Sequence, residues 1–243
     1  MTAFALKLIA LVSMIVDHLG YTLFLSGNYP AGYIAMRSFG RIAFPIFAFL
    51  IVNGLEHTRS PLRYLGRLAL FGALSQPFYA LAFSSTSYRL HPLAAFELLS
   101  PNLNVFFTLA LSLGVIAALD ALINAVRHGE RVWSAAAVLL CACCAAVLLL
   151  PGCDYSYKGL ALIAALYLTK SSRIAQAAVI AIWGVIVYGV IQLMTWQFVL
   201  GACIAAVPVL CYNGRRGAKA RWFYAVYPLH LGALWLLCYL LSR

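Results

Sequence analysis

The chain has 243 residues, 65% of them hydrophobic and 9% charged, with a mean hydropathy of +0.94 and a formal net charge of +11. Soluble domains carry about half apolar and about a quarter charged residues, so one core cannot hide this much apolar surface and lipid must cover the rest. The apolar runs are too long for barrel strands and do not alternate, which gives an all-α fold class: a polytopic integral membrane helical bundle.

In chain order, about nine transmembrane helices are predicted, at 4–25, 34–54, 62–83, 104–125, 132–150, 157–169, 174–193, 197–212 and 222–241. Most approach the ~20 residues that cross ~30 Å of hydrocarbon. The sixth and eighth are short, which suits helices beside a polar cavity or a thinned bilayer. Asp17 and His18 interrupt the first apolar run and no A-x-A-like site follows at Leu25–Ser26–Gly27, so this segment is expected to be retained, not cleaved as a signal peptide. One transmembrane domain covering 1–243 is expected.

The basic residues lie in alternate connections: Arg59, Arg63 and Arg67; Arg127 and Arg131; Lys170 and Arg173; Arg215, Arg216, Lys219 and Arg221. The connections between them carry one basic residue, Arg89 in the 84–103 loop. Lys and Arg mark the cytoplasmic side, so the N-terminus is predicted to be cytoplasmic. The +11 charge is thus an orientation signal, and with no separate basic domain it argues against nucleic acid as a partner. The 84–103 loop is long enough to act as an external lid.

Asp17 and His18 are the strongest sign of chemistry, because a carboxylate and an imidazole inside hydrocarbon cost several kcal/mol unless partnered. Lys7 lies eleven residues before His18, close to three full turns, so the two share a face ~16 Å apart. Asp17 projects ~100° away from His18, so it cannot be assumed to orient that ring. Arg37 and Arg41 lie one turn apart in the second span, just before Pro45, which should bend the helix there. Two guanidinium groups at that depth need anions, supplied by Asp17, Asp154 or a ligand. Gln76 before Pro77, Asn104, and Asp154, Tyr155 and Lys158 are expected to reach the same outer layer. His230, two residues after Pro228, is placed near the midplane.

Asp120 and the Glu56–His57 pair lie near basic loops and read as interfacial charges. His91 and Glu97 fall in the external loop without a spacing that demands chemistry. The histidines are scattered and no zinc-type spacing occurs, so no metal is expected. Of seven cysteines, Cys141 and Cys144 form a C-x-x-C spacing within an apolar run, where small packing residues are the simpler explanation.

The segments LKLIALVSMIVDHLG, GRIAFPIFAFLIVNGLEHTRS, RLALFGALSQPFYALAF, LNVFFTL, DYSYKGLALI and FYAVYPLHLGAL together resemble the TraX family of membrane proteins. That family is named after the conjugative-pilus protein that acetylates pilin. It is more distantly similar to membrane-bound acyltransferases, which carry a Lys or Arg ten intervening residues before a His, a spacing met by Lys7 and His18. The resemblance implies an acetyltransferase with acetyl-CoA as co-substrate and a pilin or other exported acceptor as partner in the cytoplasmic (inner) membrane. Under it, His18 acts as base or acetyl relay with Asp17 and His230 as the other catalytic candidates. Arg37, Arg41, Gln76, Asn104, Asp154, Tyr155 and Lys158 would bind the oxyanion or substrate, and Lys7, Arg59, Arg63 and Arg67 the acetyl-CoA. A proton-coupled carrier, an assembly scaffold and a thiol oxidase built on Cys141 and Cys144 remain as alternatives, and the acceptor stays open between an amine and a sugar hydroxyl.

Overall fold

The computed structural model describes residues 1–24, 30–83, 102–149, 152–219 and 222–241. Arg89, His91 and Glu97 of the predicted external loop, and Arg221, lie outside the described residues. The described chain forms α1 (Ala3–Phe24), α2 (Pro30–Gly40), α3 (Ala43–Glu56), α4 (Pro61–Phe83), α5 (Val105–Arg127), α6 (Arg131–Leu149) and α7 (Ser156–Leu168). There follow α8 (Arg173–Gly184, continued by a π-helical stretch at Val185–Ile191), α9 (Trp196–Ile204), α10 (Ala206–Leu210) and α11 (Phe223–Leu241). No strand occurs among the described residues beyond an isolated parallel bridge between Leu103 and Cys153.

These helices group into nine apolar segments whose ends fall within about one turn of the predicted spans. Among the described residues, six helical segments are long and apolar enough to cross a membrane: Ala3–Leu23, Pro30–Glu56, Val105–Arg127, Val132–Leu149, Arg173–Ile191 and Phe223–Leu241. Ser156–Leu168 and Trp196–Leu210 are the shorter apolar pieces, and α4 is diluted by Arg67, Ser75 and Gln76. The protein is a multi-pass membrane protein.

Two of the breaks have one cause. Proline lacks an N–H and its ring clashes with the carbonyl four residues earlier. Pro45 acts on Arg41, and the helix is interrupted between Gly40 and Ala43; Pro208 acts on Ile204, and the helix is interrupted at Ala205. The predicted bend at Pro45 is therefore a break. Around it, Arg41 N–H donates to Ser38 O at 3.2 Å and Ile42 N–H to Phe39 O at 3.2 Å. Ser13 Oγ of α1 also donates to Phe39 O at 2.7 Å, so the interruption is satisfied from the neighbouring helix.

α3 is the central helix, packed between α1, α5 and α7. Phe49, Ile46, Ala48 and Val52 on it are fully buried. By contrast α6 packs mainly on α5 and leaves Val138, Leu139 and Leu149 exposed, as a lipid-facing helix does. The basic connections gather on one face. Ala3 N–H donates to Arg215 O at 2.9 Å, Phe4 N–H to Arg216 O at 3.1 Å and Asn213 N–H to Met1 O at 2.9 Å. Arg173 lies over the rings of Phe49 and Tyr212 on that same face.

In lipid there is no hydrophobic drive between helices, so association depends on close backbone approach at small residues. Gly201 of α9 meets the Ser38 carbonyl of α2, and a Cβ there would collide with backbone that cannot move aside. Gly66 of α4 faces open space. Gly201→Ala should therefore destabilise the protein by ~1–3 kcal/mol, whereas Gly66→Ala should be neutral or stabilising by up to ~1 kcal/mol. Thermal unfolding midpoints in detergent check the contrast.

Candidate functional site

α1 carries one stripe of residues, Lys7, Leu11, Met14, His18 and Tyr21, at helical spacing. Two cavities follow this stripe. The chamber at its far end has a volume of about 340 Å³ and is lined by Asp17, His18, Tyr21, Arg37, Arg41, Asp154 and Tyr155, among others. The cavity at its near end has a volume of about 400 Å³, and Lys7, Arg59, Arg67 and Arg216 line it with Tyr64, Phe223 and Tyr224. Met14, Phe47 and Val105 border both.

His18 Nδ1 lies 2.8 Å from His230 Nε2, and His230 Nδ1 lies 3.0 Å from the Val226 carbonyl oxygen. A carbonyl only accepts, so His230 carries its proton on Nδ1 and presents a lone pair at Nε2. His18 must then donate through Nδ1, which leaves its own Nε2 with a free lone pair. His18 lines the chamber while His230 sits behind it, 9% exposed. The ring of Phe83 at 5.0 Å and that of Tyr227 at 6.2 Å meet the His18 ring edge-on and fix its plane.

Asp17 is committed to the arginines. Arg37 Nη1 bonds Asp17 Oδ2, and Arg41 Nη2 stands 3.9 Å from Asp17 Oδ1. Gly40 makes this possible, since a Cβ there would occupy the space of the Asp17 carboxyl. Arg41 is further enclosed by the rings of Tyr188 at 5.3 Å and Phe198 at 5.4 Å, and Arg37 by Tyr21 at 5.1 Å. Asp17 Oδ1, Arg37 Nε and Arg41 Nε are buried without a hydrogen-bond partner. Unmatched polar groups at a cavity wall are what a polar ligand satisfies.

Asp154 comes from the α6–α7 connection, held by its N–H to Leu103 O at 3.0 Å and by Thr108 Oγ1 on its carbonyl. The next two residues have left-handed backbones, Tyr155 at φ 59° and Ser156 at φ 43°. This costs of order 1–3 kcal/mol each and aims the Tyr155 ring flat onto Phe44, 3.7 Å away. Burial pushes the Asp154 carboxyl up to about 6, against the opposing pull of Arg41.

Other sequence candidates lie elsewhere. Gln76 and Asn104 clamp α4 to α5: Asn104 Nδ2 donates to Gln76 Oε1 at 2.8 Å and to Gly72 O at 2.8 Å, and Gln76 Nε2 to Asn102 O at 2.7 Å. Their polar atoms are used within the fold and neither lines the chamber. Lys158 directs its ammonium over Tyr157, outside the chamber, while its carbonyl accepts from Trp183 Nε1. Arg63 is exposed and does not line the basic cavity; Arg216, not singled out from sequence, does. Asp120 accepts from Tyr167 Oη at 2.5 Å and pairs with Lys170 at 3.9 Å, an interfacial arrangement as expected. Cys141, Cys143, Cys144, Cys153, Cys203 and Cys211 form no disulfide, and no cysteine lines either cavity. Among the described residues no cluster of metal-ligating side chains occurs.

The model of the TraX protein family matches residues 3–238. The chain belongs to the TraX family. It is also 30% identical over 247 residues to the probable fimbrial assembly protein FimC, serogroup H1, of Dichelobacter nodosus, covering 96% of this chain and 94% of that protein. No solved structure matches it. Tyr21, not singled out from sequence, was open to discovery there in this TraX protein as the residue one turn beyond His18. Tyr188 and Phe198 were not, because a π-helical stretch and a second broken helix bring them to Arg41 from more than 140 positions away in sequence.

Removing Asp17 leaves two guanidinium groups unpaired where their side chains are at most 15% exposed. Asp17→Ala should cost ~3–5 kcal/mol, measured as loss of thermal stability in detergent. For Asp154 the folded value lies above the ordinary 3.8, so its stabilising contribution is full at low pH and is lost as pH rises toward 6. Asp154→Asn should flatten the stability profile between about pH 4 and 6 relative to the wild type, which thermal unfolding across that range checks.

Proposed function

We propose that this protein is an acyl-CoA-dependent acetyltransferase of the cytoplasmic (inner) membrane, acting on the N-terminal amine of a pilin or fimbrial subunit. The observation that carries this reading is the free Nε2 lone pair of His18, set by the Val226–His230–His18 chain and facing a chamber lined by two arginines. The basic connections gathered on one face support a cytoplasmic N-terminus. The cavity on that face then meets a donor made in the cytoplasm, with Lys7, Arg59, Arg67 and Arg216 as charge-assisted partners for its phosphates. The name of the Dichelobacter relative supports an acceptor connected with fimbriae.

In this mechanism His18 Nε2 removes a proton from the acceptor amine as its nitrogen attacks the thioester carbonyl carbon. The N–C bond forms and the carbonyl electrons move to oxygen, where Arg41, with Arg37 beside it, stabilises the developing charge. Collapse re-forms the carbonyl and breaks the C–S bond, and the departing sulfur takes the proton from His18. His230 is a positioning residue: it holds His18 in the reactive tautomer and accepts its Nδ1–H throughout. Asp17 holds the arginines and does not orient the imidazole.

Paired cavities on opposite faces also suit a proton-coupled carrier. The discriminating experiment incubates the purified protein with isotope-labelled acetyl-CoA and a synthetic pilin N-terminal peptide, followed by mass spectrometry. An acetylated peptide is expected, with His18→Ala lowering its formation by ~10²–10⁴-fold while expression and thermal stability persist. No acetylated product from the wild type, or full activity in His18→Ala, overturns the reading.

A further inference from the structure

The two cavities meet at three side chains on three different helices. On α1, Lys7 and Leu11 line the basic cavity, Asp17, His18 and Tyr21 line the chamber, and Met14 borders both. On α3, Leu50 and Ile51 line the first, Ala43 and Phe44 the second, and Phe47 lies between them. On α5, Phe106 and Leu109 face the basic cavity, and Val105, the opening residue of the helix, borders both. Met14 is one turn before His18, ~6 Å along the helix. The shared wall therefore stands immediately before the imidazole for anything arriving from the basic face.

We propose that Met14, Phe47 and Val105 form the aperture through which the donor's thioester arm reaches His18, and that its width restricts transfer to short, unbranched acyl groups. This inference rests on the acyltransferase reading above. All three side chains are apolar, so the wall offers nothing to hold a charged phosphate; it suits the thin, uncharged arm that carries the thioester. The charged end stays behind among Lys7, Arg59, Arg67 and Arg216, and Lys7 to Met14 spans ~10 Å of that path. Phe47 is the largest of the three and its outer edge is braced by Phe223, 6.1 Å away, which also lies beneath the Lys7 ammonium. Discrimination by one added methyl group against such a wall is worth about 10–200-fold.

The test compares acetyl-CoA with isobutanoyl-CoA as donors to the same acceptor peptide, using the full-length protein in detergent. The wild type should transfer acetyl at least about tenfold faster than isobutanoyl, and Phe47→Ala should raise the isobutanoyl-to-acetyl ratio by about tenfold or more. Phe47→Leu, a milder change, should shift the ratio in the same direction by less. Val105→Trp should obstruct the aperture: CoA should still raise its thermal midpoint, because the basic cavity remains, while acetyl transfer falls. An unchanged ratio in both Phe47 variants, or a Val105→Trp protein that transfers acetyl at the wild-type rate, overturns the aperture alone. A wild-type protein that transfers neither acyl group overturns the acyltransferase reading and the aperture with it.

Discussion

Asp17 between Arg37 and Arg41 is the interaction on which the rest of the structure depends. Three charges in an apolar layer are tolerated only together, because an unpaired one costs several kcal/mol. Satisfying them fixes the depth and rotation of α1 against α2, with Gly40 admitting the carboxyl where any larger residue would exclude it. Once α1 is held there, His18, the next residue, has one direction available and meets His230 of α11. Pro45 completes the arrangement by interrupting the helix between Gly40 and Ala43, so that the second arginine lies in a helix break and not within a continuous turn.

The chamber is an unsatisfied place by construction. Several polar groups elsewhere in the apolar layer are used up: Gln76 and Asn104 by each other, Ser13 by a broken helix, Ser75 by its own carbonyl ladder. Around the chamber, Asp17, Arg37 and Arg41 retain unmatched atoms, and Tyr155 and Ser156 hold left-handed backbones to close the wall. Polar groups left over and local backbone strain coincide at this wall. The fully bonded polar pairs and the charged groups of the chamber thus occupy the same layer but differ in whether the fold answers them.

Much of the architecture was legible in the sequence for a simple reason. Hydrocarbon imposes helices of a set length and sorts Lys and Arg to one side, so the nine segments and the single basic face follow from runs and loops alone. The shared face of Lys7 and His18 was also legible, because helical periodicity is local. Proline's effect on the carbonyl four residues before it placed a bend within about one turn of Arg41, where the structure has a break. The roles of Gln76, Asn104 and Lys158 were not legible: a polar residue at the right depth reads the same whether it faces a cavity, a neighbouring helix or the bilayer edge.

What the sequence by itself determined, then, is which residues are charged, at what depth they lie, and along which helical face they repeat, since each is set within a turn or two of chain. Only the tertiary structure decided which of them meet. His18 and His230 are 212 positions apart, and Arg41 reaches Tyr188 only through a π-helical stretch. The tautomer of His18 depends on a carbonyl of α11 that no local pattern announces. Convergence of that kind is a property of packed helices, because the partner that completes a buried group's hydrogen bonds can come from any segment that fits beside it.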